Sequence, residues 1–187
     1  MGQSVLNSLG QLKGAASLLD SGTGTAVAST SSETSYVSYA VPGGLLGTTK
    51  AIQCFVWGDF LKNSAAGVTL QVKLKYGATT MVDTVANQLA AGVQSANRYP
   101  FFQVASVANY NSTAVQNASL FQDISWRSAG ADSGQDIFSP SSHWAGSKNG
   151  SATEDSTATK TFALSLTWSA ASASNEWKPF HYAIYLV

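Results

Sequence analysis

The nine residues Val68-Thr-Leu-Gln-Val-Lys-Leu-Lys-Tyr76 decide the fold class of this chain. Apolar side chains at every second position, from Val68 to Tyr76, alternate with polar ones. Because successive side chains of a strand point to opposite faces, the pattern predicts a half-buried strand with one solvated face. Gly77 closes this strand, and residues 79–84 are predicted to form a short return strand.

The two-residue period recurs elsewhere and predicts further strands. These are residues 37–41, 51–60, 99–107, 115–126, 161–168 and 177–187. The stretch 51–60 is apolar in both phases, which predicts a strand buried on both sides. In the last stretch, the predicted buried side carries Phe180, Tyr182, Ile184 and Leu186. In 161–168, Phe162, Leu164, Leu166 and Trp168 are predicted inside, with Ala163, Ser165 and Thr167 outside.

About eight strands at irregular spacing, with almost no helix between them, predict an all-β protein. Long connections favour an antiparallel jelly-roll sandwich over an up-and-down barrel, which needs short hairpins throughout. Residues 127–159, rich in Ser, Gly, Asp and Asn, are predicted to be a long irregular loop. The jelly-roll domain is predicted to occupy residues 34–187.

Residues 1–33 are predicted to form an N-terminal arm followed by a Ser/Thr/Gly linker that begins at Ser21. Between Val5 and Leu19, apolar residues recur at three- and four-residue steps, as on one face of a short helix. Two interpretations stay open: a frayed terminus, or an arm that docks on a neighbouring subunit. Under the second, Leu6, Leu9 and Leu12 are candidate contact residues.

Composition excludes several classes of function. Only 11% of the 187 residues are charged and the formal net charge is zero, so nucleic-acid binding through clustered Lys and Arg is not expected. The single cysteine, Cys54, forms no internal disulfide and no cysteine-rich zinc site. No run of about 20 apolar residues predicts a membrane span. The N-terminus lacks a signal-peptide pattern, so synthesis in a cytosol is expected.

No catalytic, cofactor or metal site is predicted. His143 and His181 fall in no recognised catalytic or metal-binding spacing. Acidic residues of the long loop, Asp132, Asp136, Glu154 and Asp155, lack the spacing of a calcium-binding loop. The protein is therefore not expected to be an enzyme.

The tryptophans divide into two groups. Trp57 and Trp168 lie in strand patterns that predict core or sheet packing, whereas Trp144, beside His143 in the predicted loop, is expected to be exposed. Two roles are open for Trp144: a loop anchor or subunit contact, which we prefer, or an aromatic platform for a sugar. His143 and Trp144 join the leucines of the arm as candidate contact residues.

An order of short motifs runs through the chain. It comprises Ser21-Gly-Thr-Gly, Glu33-Thr-Ser-Tyr, Tyr39-Ala-Val-Pro, Ile52-Gln-Cys-Phe-Val-Trp-Gly-Asp-Phe and Val72-Lys-Leu-Lys-Tyr-Gly. From about Gly22 to Val187 the chain resembles a jelly-roll module of tailed-bacteriophage virion proteins, which are head-surface, capsid-decoration or tail-associated. The resemblance implies a non-enzymatic structural subunit, often a homotrimer, with no catalytic residues to carry over.

The expected role is therefore a bacteriophage capsid decoration or cement protein. Its partners would be the major capsid protein and copies of itself, with no nucleic acid, membrane or cofactor involved. It would be made in the bacterial cytoplasm and located on the capsid surface of the virion. The alternative is a tail or fibre adhesin, or a carbohydrate-binding module, that recognises host-surface glycans. A charge-poor surface rich in Ser, Thr and Ala suits packing among identical copies, because each ion buried at a contact needs a partner.

Overall fold

A computed structural model describes residues 16–63, 67–84, 87–89, 98–126 and 142–187 of the chain. For residues 87–89, 125–126 and 142–144 it describes the backbone alone. These described parts contain twelve strands and no helix. The strands are β1 (Ser17–Gly22), β2 (Val27–Ala28), β3 (Thr34–Val41), β4 (Ala51–Lys62), β5 (Val68–Tyr76), β6 (Thr79–Asp83), β7 (Asn87–Leu89), β8 (Tyr99–Asn109), β9 (Gln116–Trp126), β10 (Ser142–Ala152), β11 (Lys160–Trp168) and β12 (Asn175–Leu186).

The strands form two antiparallel sheets that make a sandwich. The seven-stranded sheet has the order β1-β12-β4-β8-β9-β10, with β2 also paired to β12. The five-stranded sheet has the order β3-β11-β5-β6, with β7 also paired to β5. The all-β, antiparallel sandwich predicted from the sequence is confirmed.

The core lies between the sheets and takes one face of each. The alternation predicted for β5 is confirmed, because its five apolar side chains from Val68 to Tyr76 are each at most 2% exposed. Opposite them the seven-stranded sheet contributes Ile52, Leu120 and Ile184, also fully buried. Phe101 and Trp177 stack in this layer, with ring centroids 3.6 Å apart.

Strand β4 is buried on one side only, so the prediction of two-sided burial is wrong. Ile52, Cys54 and Val56 are fully buried, but on the other side Phe55 is half-buried and Trp57 is 43% exposed. No layer of the described chain covers this second side, because the five-stranded sheet packs against the first. An apolar run in both phases therefore marks an apolar outer face here.

The prediction for β12 fails at Phe180, which is 48% exposed, whereas Ile184 is buried as expected and Tyr182 and Leu186 pack partly against the core. Trp177 and Ile184 lie seven positions apart, so in a regular strand they would point to opposite faces, yet both are buried. A register shift between Pro179 and His181 reverses the phase, as in a β-bulge. The partner strand meets it with Gly58, where a Cβ atom would lie 2.7 Å from the Pro179 Cα.

Residues 142–152 form strand β10, so that part of the predicted loop 127–159 is wrong. All eleven residues pair with β9, from Ser142 opposite Trp126 to Ala152 opposite Gln116. Its sequence has no apolar alternation that would predict a strand, and its backbone pairs along the whole length of β9. At Gly150 it passes so close to β6 that a Cβ atom would lie 2.7 Å from the Met81 carbonyl carbon.

The N-terminal part differs from the predicted helix where it is described. Residues 17–22 form β1 and pair with β12, and Val27–Ala28 pair with the other end of the same strand. The predicted linker therefore contributes strands to the seven-stranded sheet. Residues 1–15, with the expected arm contacts Leu6, Leu9 and Leu12, lie outside the described residues.

Candidate interaction surface

Of the five predicted contact residues, only the backbones of two are described. His143 lies opposite Ser125 and Trp144 opposite Ile124, at the start of β10. Their side chains, like the three arm leucines, lie outside the described part of the chain. The structure shows another exposed surface, on the seven-stranded sheet, which the sequence analysis did not identify.

The outer side of the seven-stranded sheet carries a cluster of aromatic side chains, which we name the aromatic face. Four neighbouring strands build it, because each turns one phase to the core and the other outward. Trp57 of β4 lies opposite Phe102 of β8 on one side and His181 of β12 on the other. The members of the aromatic face are Phe55, Trp57, Phe102, Phe121, His181 and Tyr185.

The rings of the aromatic face contact one another and still remain open to solvent. The centroid distances are 4.7 Å for Trp57–His181, 6.0 Å for Phe55–Tyr185 and 6.5 Å for Phe55–Phe102. Trp57, Phe102 and Phe121 are 43%, 39% and 38% exposed. A shallow groove of ≈ 360 Å³ crosses the part of the face that β4, β8 and β12 form. Its lining residues are Ala16, Gln53, Phe55, Trp57, Phe102, Ala183 and Tyr185.

Polar groups border the aromatic face at both ends. At one end, Ser106 and Ser119 hydrogen-bond across β8 and β9 at 2.8 Å, beside a shallow depression that Asn117 and Asn149 also line. At the other end, Arg98 forms ion pairs with Asp59 at 2.5 Å and Glu176 at 2.6 Å. This cluster at the rim of the face combines one guanidinium with two carboxylates, so one formal negative charge remains.

The outer side of the five-stranded sheet has the opposite chemistry. Glu33 accepts hydrogen bonds from the ammonium groups of Lys73 and Lys75, each at 2.9 Å, and from the Ser165 hydroxyl at 2.8 Å. The Lys73 bond first, then the Lys75 bond, lowers the pKa of Glu33 to about 2. Ser165 was predicted to face outward, but the cover that Glu33 provides leaves it fully buried.

The structure shows the surroundings of the cysteine, of one histidine and of two of the acidic residues that the sequence analysis considered for chemistry. Burial raises the pKa of the Cys54 thiol to about 12, which removes it as a nucleophile at neutral pH. His181 lies outward, as predicted, against Trp57. Glu154 accepts hydrogen bonds from Lys160 and Thr79, and Asp155 accepts two from Thr157, one from its backbone N–H and one from its hydroxyl. Asp132 and Asp136 lie outside the described residues.

The described residues hold no group of three or more His, Cys, Asp or Glu side chains placed to bind a metal ion. Within the same ranges, the search for a helix long and apolar enough to cross a membrane found none.

Polar side chains also lie inside the sandwich, and the sequence analysis missed them. The Tyr36 hydroxyl donates a 2.7 Å hydrogen bond to Gln103 Oε1 in the core. Gln122 lies directly opposite Gln103 and is 1% exposed. The sequence contained a signal for their burial, because both glutamines lie at the alternate positions that hold the buried apolar side chains of their strands.

No family model and no curated protein matches this chain.

Proposed function

We propose that this protein is a virion structural protein of a tailed bacteriophage, and specifically a capsid decoration or cement protein. The observation that carries the proposal is the aromatic face, a broad apolar surface on a rigid antiparallel sandwich. Contiguous exposed apolar patches of this kind mark interaction sites in soluble proteins. A chain with few charges loses little solvation energy when such a surface is buried.

The strand order supports the finer jelly-roll assignment. Along the chain, β1, β3, β4 and β5 alternate between the two sheets, and so do β8, β11 and β12. Alternation of this kind is what the rolled Greek-key connections of a jelly roll produce. In this assignment the roll consists of β1, β12, β4 and β8 in one sheet and β3, β11, β5 and β6 in the other. Strands β9 and β10 extend the seven-stranded sheet at its β8 edge.

The proposed mechanism is stabilisation without catalysis. Copies of the chain, as a homotrimer, bind the major capsid protein on the outside of the head and add buried contacts between capsomers. The N-terminal arm, with Leu6, Leu9 and Leu12, and the residues His143 and Trp144 are proposed to contribute to these contacts. Residues 1–34 contain a single basic residue, Lys13, so the arm has no cluster of positive charge with which to bind packaged nucleic acid.

Copy number in purified particles tests the proposal. Quantitative mass spectrometry of intact virions should find this chain in a fixed, high ratio to the major capsid protein. Particles produced without it should release their genome at lower temperature, and addition of the purified protein should restore the stability. A handful of copies per particle, or particles equally stable without the chain, would contradict the cement role.

One observation favours a second function, the binding of host-surface glycans by a tail or fibre adhesin. Trp57 and Tyr185 line one groove together with Gln53, a combination of aromatic rings and a hydrogen-bonding amide that suits a sugar. Calorimetric titration with saccharides separates the two functions. Saccharide binding that Trp57→Ala abolishes and Tyr110→Ala leaves intact would favour the adhesin; the same pair of experiments with Trp144→Ala tests the site expected from the sequence.

A further inference from the structure

We infer that the aromatic face is the surface on which this chain binds a second copy of itself. This inference rests on the proposed function, because a homotrimeric decoration protein needs such a surface, and it names the residues that form it. The central residues are Trp57, Phe102 and Phe55, with Tyr185 and Phe121 around them.

The dimensions of the face match those of a stable interface. It spans four neighbouring strands, β12, β4, β8 and β9, and along β4 it extends from Ala51 to Asp59. Strands about 4.8 Å apart and a rise of about 3.4 Å per residue give a footprint on the order of 600 Å². Specific protein interfaces bury about 600–1,000 Å² on each partner, so the face reaches the lower end of this range.

The chemistry of the face also matches the centre of an interface. Trp, Tyr and Phe are enriched in such centres and charged residues are depleted. Of the charged side chains at or beside the face, Arg98 pairs with Asp59 and Glu176, and Asp123, directly opposite Phe102, has an interaction of its own. These four side chains therefore need no charged group from another molecule.

A second copy fits this face better than a charged partner does. The chain has a formal net charge of zero, so copies do not repel one another at long range. The face itself presents no block of one charge that would select an acidic or a basic partner. In a homotrimer the contact is heterologous, so the face of each copy meets a different patch of the next copy around the threefold axis, through shape complementarity and apolar contact.

The experiment is sedimentation velocity of the full chain over a concentration series. We expect the wild type to sediment as an oligomer, and Trp57→Asp and Phe102→Asp each to weaken association by about thirtyfold or more. Tyr110→Asp is the matched control, since Tyr110 is a 66% exposed aromatic residue in the turn after β8, outside the face. This control should sediment like the wild type.

A second measurement avoids any dependence on the folding of the variants. Hydroxyl-radical footprinting of the wild type should show Trp57 and Tyr185 protected at concentrations where the oligomer forms and modified after dilution. Tyr110 should be modified equally in both conditions.

Three results would overturn the inference. The first is a wild type that stays monomeric throughout with Trp57 accessible. The second is an oligomer in which Trp57 stays accessible, or which both variants form as well as the wild type. The third is a monomer in which Trp57 is protected at every dilution; since Ala16 lines the groove, this would assign the face to the chain's own residues 1–15.

The outcome is separable from that of the proposed function. Oligomerisation through the aromatic face with no copies in the virion would uphold the inference and reject the cement role. The opposite outcome would combine abundant copies in the virion with normal self-association of the Trp57→Asp variant. That result would uphold the cement role and reject the inference.

Discussion

The two outer faces of the sandwich differ sharply although the strands behind them share one core. On the five-stranded sheet, Lys73 and Lys75 extend over the surface and share the carboxylate of Glu33. On the seven-stranded sheet, the equivalent outward positions of β4 hold Phe55 and Trp57. Both faces are built by period-two strands, so the alternation fixes where the core is but says nothing about what the other side meets.

The difference concerns what each face offers to its surroundings. Lysines paired with a carboxylate keep the outer face of a sheet hydrated. Half-exposed aromatic rings instead expose apolar area to water. Under the inference drawn above, the five-stranded sheet is the solvent side of the protein and the seven-stranded sheet is the contact side.

The largest expected effect tests whether the two inner faces contribute equally to the core. Leu74 of the five-stranded sheet and Ile52 of the seven-stranded sheet are both completely buried. Leu74→Ala and Ile52→Ala should each lower the free energy of unfolding by about 2–5 kcal/mol, through lost burial and the cavity left behind. Chemical denaturation of each variant against the wild type measures this. A loss under about 1 kcal/mol at either position would mean that its sheet packs loosely, and the contrast between the faces would then extend to the core.

A smaller effect is expected from the polar contact that joins the two sheets. Tyr36 lies in β3 and Gln103 in β8, so their 2.7 Å hydrogen bond crosses the sandwich. Tyr36→Phe keeps the ring but leaves Gln103 Oε1 buried without this donor, which should cost about 1–3 kcal/mol. Thermal unfolding should show the loss. An unchanged midpoint would mean that water reaches Gln103 and replaces the hydroxyl.

The sequence determined the location of the core more readily than the nature of the surfaces. In β5, strict alternation predicted every buried side chain, because only one phase was apolar. In β4 both phases were apolar, and periodicity cannot distinguish a strand covered on two sides from one that awaits a partner. The bulge at Pro179 and the pairing of β10 with β9 also escaped prediction, since both depend on backbone contacts with strands distant in sequence.

The candidate site was the least predictable part. The contact residues expected from local patterns of sequence were the arm leucines, His143 and Trp144. The structure describes none of their side chains, so these predictions stay untested. The aromatic face instead assembles from strands β4, β8, β9 and β12, whose neighbours follow from sheet order. That order is a long-range property, so no local window of sequence contains the face.

The outer side of the five-stranded sheet should lose stability in acid. The pKa of Glu33 is about 2 in the folded chain against an ordinary value of 4.5, so its contribution is complete above about pH 4.5 and is lost as the pH falls toward 2. Glu33→Gln should therefore cost about 1 kcal/mol at pH 7, a modest value for partly exposed ion pairs, and progressively less at lower pH. Urea titrations of both proteins between pH 7 and pH 2 measure the difference. A gap that stays constant or widens in acid would contradict the role given to this carboxylate.

The smallest effect is expected from a single lysine of the same face. Lys73 contributes one of two ammonium groups that contact Glu33, and its side chain is 22% exposed. Lys73→Ala leaves Lys75 at 2.9 Å from the carboxylate, so we expect a loss well under about 1 kcal/mol, against the larger loss for its neighbour Leu74. Denaturant midpoints of the two variants give the comparison directly. If Lys73→Ala proved as damaging as Leu74→Ala, the outward side of β5 would be buried in solution, and the distinction between a solvent side and a contact side of this protein would fail.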